Sequence, residues 1–385
     1  MKREAGFSLI EVLVATAVAA IIMGATLSAL TDAVHTTDSV SLMAGVQDNL
    51  RASMNAMSHD IIEAGEGIPS GGITIPTSAG GLSQVNRPGP VAQIFPNTYT
   101  ALPVVIPGAF LGVQAASPSP TNSSLVLYGQ ATDTITLIYA DTTLIDNSPF
   151  PQPPHTLSEF PIYLAPTGAP GCAAGNPNPA PAGTLAPNGA SVVFDITCIN
   201  INQGNAGIHP GDLIMFQNPR GVAIQTVTSV SGQTVNFALG DAFKFNSTGL
   251  TNGTLQNIET SCCPGSGVFP PTTATRVWMI TYYLSNSDPF HPQLMRQVNF
   301  NPPTPVGDAM ENLQITYDIT APVGTPLPGV NVKQPIAPDT PNQIRKVNLF
   351  LAARSEVANS QHAYLRNNLL TQVSVRNLAF FSRYK

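Results

Sequence analysis

Few side chains in this sequence are spaced to do chemistry together. Its cysteines are Cys172, Cys198, Cys262 and Cys263. None forms a C-x-x-C pair, and no histidine sits at zinc-like spacing from them, so a metal centre is not expected. In an exported chain the same residues read as disulfide candidates. A Cys172–Cys198 bridge would close a Pro/Gly-rich loop. That leaves the adjacent Cys262 and Cys263 as a strained vicinal disulfide or as free thiols, and Cys198–Cys262 stays open as an alternative. His35, His59, His155, His209, His291 and His362 are scattered. Asp308 and Glu311 stand three apart and could line a cation site, although solvated carboxylates ahead of a strand are the simpler reading. No H-E-x-x-H, Walker A, G-x-S-x-G or EF-hand pattern occurs, so no catalytic residue and no cofactor are expected. The one ionisable residue in an unusual setting is Glu11, inside "GFSLIEVLVATAVAAIIMGATLSAL".

That stretch defines the first element. Phe7 to Leu30 is apolar or small apart from Glu11. As a helix it is roughly 36 Å long, enough for a hydrocarbon core of about 30 Å. Lys2 and Arg3 precede it. They place the N-terminus in the cytoplasm and the remainder outside it. The run is longer than the apolar core of a secretory signal, and no small-x-small cleavage site follows. A carboxylate inside a membrane costs about 2.5–3.5 kcal/mol on insertion scales, and such groups are usually paired and functional. A positive charge four residues before Glu11, on the same helix face, would offset the burial of both charges.

Downstream, Leu42, Val46, Leu50, Met54, Met57 and Ile61 recur at helical spacing among Asp48, Asn49, Arg51, Asn55 and His59. They predict a helix running from about Phe7 to Ala64, its second half striped for packing on a folded head. Gly65, Gly67, Pro69 and Gly71 end it.

The chain has 385 residues, 43% of them hydrophobic and only 10% charged, with a formal charge of −6. No Lys/Arg cluster appears beyond the N-terminus, which argues against a nucleic-acid partner. With 31 glycines and 36 prolines among its apolar runs, the remainder reads as a loop-rich β-fold. Strands are predicted near Leu102–Ile106, at Ser124–Tyr128, Asp133–Ala140, "ASVVFDITC", Leu213–Gln217, Val222–Val230 and Thr234–Ala238. Later runs, "RVWMITYYLS", "QLMRQVNF", "ENLQITYDI", "QIRKVNLFLAAR" and "LTQVSVRNL", predict an antiparallel meander. Helices do not alternate with these strands, which disfavours a doubly wound sheet. The expected class is α+β: one long helix on an antiparallel sheet, with β-rich and Pro-rich insertions.

"MKREAG/FSLIEVLVA" resembles the class III leader of type IV pilins and pseudopilins. The resemblance implies that prepilin peptidase cuts between Gly6 and Phe7 and N-methylates Phe7. It also implies that Glu11 docks on the terminus of a neighbouring subunit. Scattered blocks further on, among them "LRASMNAMSHDIIEAG", "WMITYYLSN", "AMENLQITYDI" and "IRKVNLFLAARS", resemble the PilW type of minor pilin. The implied organisation is a leader at 1–6, a membrane or filament-core helix at 7–30, an amphipathic continuation at 31–64 and a head at 65–385. A β-subdomain is expected at about 205–245. The implied partners are prepilin peptidase, other major and minor pilins and, before assembly, the inner membrane. The head would be periplasmic first and at the pilus or cell surface later. A minor pseudopilin of a type II secretion system is the close alternative, and a membrane-anchored adhesin the more distant one.

Overall fold

The computed structural model describes residues 8–78, 85–90, 93–95, 100–112, 131–141, 162–165, 182–196, 199, 201–202, 207–247, 250, 252–259, 269–288, 291–320, 329–336 and 339–379. Gly6, Phe7, the four cysteines and the predicted strand Ser124–Tyr128 lie outside these residues.

Helix α1 spans Leu9–Glu63. Five short strands follow: β1 (Ile73–Thr74), β2 (Asn86–Arg87), β3 (Gln93–Ile94), β4 (Ala101–Leu102) and β5 (Val105–Gly108). Next come β6 (Thr134–Ala140), β7 (Ile162–Ala165), β8 (Gly183–Leu185) and β9 (Ser191–Phe194). Two hairpins follow, β10 (Leu213–Asn218) with β11 (Gly221–Thr226), and β12 (Ser229–Ser231) with β13 (Thr234–Asn236). The remainder is β14 (Thr272–Ser285), β15 (Gln293–Val298), β16 (Thr304–Gly307), β17 (Met310–Ile319), β18 (Gly329–Val332), β19 (Ile344–Arg354), β20 (Arg366–Ser374) and α2 (Arg376–Ala379). One long helix followed by antiparallel sheets is the α+β class expected from the sequence.

Strand β14 organises the larger sheet, which has twelve strands among the described residues. Its sequence, TTATRVWMITYYLS, is rich in β-branched and aromatic residues suited to a pleated, buried surface. Its first half pairs with β10 and β7, and its second half with β6 and β15. Strand β10 is buried on both faces. Leu213 and Met215 enter the main core, whereas Ile214 and Phe216 enter a second one beneath β7–β13. This two-sided burial explains its unbroken apolar run. The parallel β7–β8 pair is the exception to the antiparallel pattern.

The predicted meander is divided between two sheets. Strands β14 to β16 belong to the large sheet, whereas β17 to β20 form a separate four-stranded sheet in the order β18-β17-β19-β20. Several strand limits also differ from expectation: Thr234–Ala238 ends at Asn236, "ASVVFDITC" is a strand only over Ser191–Phe194, and Leu102–Ile106 is split between β4 and β5. Val222–Val230 breaks after Thr226, because the chain leaves β10 and takes up β13: Thr228 N–H donates to the Asn236 carbonyl at 2.9 Å. "LTQVSVRNL" is a strand only to Ser374, after which Arg376–Ala379 turns into α2.

The helix stripe packs as its periodicity requires. Val46, Leu50, Met54, Met57 and Ile61 are buried against Leu313, Ile315, Val347, Leu349, Leu351 and Val373 of the four-stranded sheet, and against β6 and β14. Leu42, at the upper end of the stripe, is only half-buried.

Candidate assembly interface

Every described residue from Ser8 to Val34 is exposed. Leu9, Ile10, Val12, Leu13, Ile21, Ile22, Met23, Leu27 and Leu30 present their side chains to the surroundings, an apolar surface that no other described part of the chain covers. This stem is roughly 39 Å long at about 1.5 Å per residue. It is long and apolar enough to cross a membrane. Its threonines suit that setting. The hydroxyls of Thr16, Thr26 and Thr31 donate to the carbonyls of Leu13, Met23 and Leu27 at 2.9–3.0 Å, so these polar groups are satisfied inside the helix.

Glu11 has a local role that charge reasoning alone missed. Ser8 is the N-cap: Glu11 N–H donates to its Oγ at 3.4 Å, and Ser8 N–H donates to Glu11 Oε2 at 2.9 Å. This reciprocal box satisfies two of the helix's orphan donors, and its signature, Ser-x-x-Glu ahead of an apolar run, is legible in the sequence. Its bonds involve only Ser8 and Glu11, so it does not depend on the residues before Phe7. Oε1 of Glu11 takes no protein partner among the described residues.

Below His35 the helix is fastened to the head at three levels. At the top, Ser360 N–H donates to Asp38 Oδ2 at 2.9 Å, and His35 meets the Ser360 hydroxyl. In the middle, Asn49 Nδ2 donates to the Asp308 carbonyl at 2.6 Å, and Ser53 Oγ to the Val306 carbonyl at 3.0 Å. At the bottom sits Asp60, 4% exposed, which accepts four bonds. They come from Tyr282 Oη at 2.6 Å, Tyr139 Oη at 3.2 Å, and Arg296 Nε and Nη2 at 2.8 and 3.2 Å. Strands β6, β14 and β15 each deliver one of these donors. Tyr282 and Arg296 are direct cross-strand partners, and Tyr139 faces Trp278, four residues back along β14.

The node polarises its members. Burial raises the Tyr282 and Tyr139 phenols well above their ordinary range, and the negative charge of Asp60 raises them further. For Arg296, burial alone would lower the value, but the bonds to Asp60 and its charge more than offset this and hold the guanidinium firmly protonated. His59, Asp60 and Glu63 lie close enough to suggest a cation cluster. Asp60 is already occupied by three side chains, so the arrangement is explained as a fastening.

Asp308 and Glu311 do not come together as a site. The Asp308 carboxylate accepts Gln293 Nε2 at 2.7 Å. Glu311 is buried rather than solvated, because Arg366 grips both its oxygens, at 2.9 and 3.3 Å, and Arg354 lies 3.7 Å away. Fixed positive charge explains why a carboxylate is tolerated there.

Residues 1–27 match the family described as the prokaryotic N-terminal methylation motif. No curated protein and no solved structure matches the chain. The matched segment contains the N-cap box and most of the bare stem. The chain therefore carries a class III prepilin leader motif on a long apolar helix, which supports a type IV pilin-like or pseudopilin protein processed by prepilin peptidase.

Proposed function

We propose that this chain is a minor pilin of the PilW kind, a non-enzymatic subunit that helps to initiate or tip a type IV filament. The observation that carries this reading is the union of a methylation motif and bare apolar stem with a large β-rich head locked to the lower helix. Before assembly the stem spans the inner membrane, with its N-terminus cytoplasmic and its head periplasmic. Cleavage between Gly6 and Phe7 releases the leader, and methylation follows at the new Phe7 amine. Glu11 keeps its capping bond to Ser8 through one oxygen and offers the other to the amine of an adjoining subunit. A like-for-like exchange of lipid for neighbouring stems then conserves apolar burial while adding close packing and one ion pair.

Sheared filaments test this reading. The wild-type chain is expected there in amounts far below the major pilin, together with other minor pilins. Glu11→Val should insert in the membrane normally yet be largely missing from filaments. Recovery in equal amounts with the major pilin would contradict a minor role. Recovery only with a secretion complex would assign the chain to a pseudopilus instead.

A further inference from the structure

The four-stranded sheet has two unlike faces. Val347, Leu349 and Leu351 point into the core beneath α1. Alternate residues on the opposite face line an open cavity of about 530 Å³. Its volume falls within the range of small-ligand pockets, roughly 300–1,000 Å³. Phe350 and Leu370 form a cross-strand pair on this face, giving an apolar platform. Around it stand the amides of Gln314, Asn331, Asn348 and Gln372.

These amides are held in place by one another. Gln372 Nε2 donates to Asn348 Oδ1 at 2.8 Å and to Asp318 Oδ2 at 3.0 Å. Asn348 Nδ2 donates to Asp318 Oδ1 at 2.9 Å and to Asn331 Oδ1 at 3.1 Å. Asn331 N–H donates to Asp318 Oδ1 at 3.0 Å and fixes Asn331 in the left-handed region, at φ 55°. Two lysines border the network: Lys346, in register with Asp318, donates through Nζ to Gln372 Oε1 at 3.4 Å, and Lys333 is tied to Asp133 and Gln314.

We propose that this groove binds a short neutral saccharide. The chemistry selects it by elimination. The groove lies on a sheet face whose main-chain groups are spent in the ladder, so an added peptide strand has no backbone partners there. A purely apolar ligand would desolvate these polar side chains without using their remaining hydrogen-bonding capacity, which is costly. An ionic ligand would have to compete with bonds already made: Lys333 is ion-paired with Asp133, Lys346 holds Gln372, and Asp318 accepts from three N–H groups. The carbonyl lone pairs left over on these amides, together with the amide N–H groups of Asn331, match vicinal hydroxyls, while a phenyl face accepts the C–H side of a sugar ring. Because the network is already ordered, little side-chain entropy is lost on binding. The face points away from the helix.

The test uses full-length, detergent-solubilised protein on an array of immobilised neutral oligosaccharides, with sialylated and sulfated counterparts as controls. At least one neutral saccharide should be retained. Gln372→Ala and Asn331→Gly should each weaken retention about tenfold, the loss of roughly one hydrogen bond. Asn331→Gly is the sharper variant, since glycine adopts the same positive φ without strain and the melting temperature should hold. No retention of any neutral saccharide would overturn the proposal, as would retention of acidic ones alone or retention unchanged in both variants. Loss of a co-purifying pilin in these variants, without saccharide binding, would identify a protein contact and also overturn it.

Discussion

At the residue scale, two carboxylates in one helix do opposite jobs. Glu11 sits on a stem with nothing packed beside it and holds its helix start, with one oxygen left over. Asp60 sits where the helix is enclosed and spends both oxygens on the head. Asp60→Ala would strand two phenols and a guanidinium, and should cost about 3–5 kcal/mol in denaturant unfolding of the detergent-solubilised protein. A loss under about 1 kcal/mol would mean that the node is not a fastening. The phenols also set a pH dependence. Both folded-state values lie above the unfolded value of about 10, so their contribution is complete below pH 10 and is lost as pH rises beyond it. Tyrosinate absorbance and circular dichroism, followed together into alkali, should show these two phenols ionising only as the head unfolds. Ionisation near pH 10 in an intact fold would contradict the assignment. Glu11 was legible from its isolation in an apolar run. Asp60 was not, because its donors lie 79, 222 and 236 residues away in sequence and nothing local marks the aspartate as buried.

At the element scale, α1 was legible almost to its ends, since an apolar run and a period near four both point to helix. What ends it was only half legible. The glycines after Ala64 were plain, and Gly67, at φ +66°, would place a Cβ 2.5 Å from that of Ala140, so no larger residue fits there. The cap itself comes from the far end of the chain. Asn377, in α2, donates through Nδ2 to the carbonyls of Glu63 and Ala64 at 3.4 and 3.2 Å. Asn377→Ala should release those carbonyls, cost about 0.5–1.5 kcal/mol, and speed hydrogen exchange in the last turn of α1. Unchanged exchange there would remove Asn377 from this role. The division of the β-runs into two sheets could not be read locally either. The strand signals that fall on described residues were correct in kind, but pairing is decided by which face of which strand meets α1, a long-range matter.

At the scale of the whole molecule, the chain is an apolar rod that carries a β-rich body on its lower half. The fastenings at Asp38, Asn49, Ser53 and Asp60 tie rod and body together at successive levels of the helix. The matched motif at residues 1–27 is the signature of how such a rod is matured. The account stands most directly on the identity of the first residue after maturation. Intact-mass and N-terminal analysis of the protein from sheared filaments should find a chain that begins at Phe7 and carries one methyl group on its amine. A filament-borne chain that still begins at Met1 or Lys2 would contradict it.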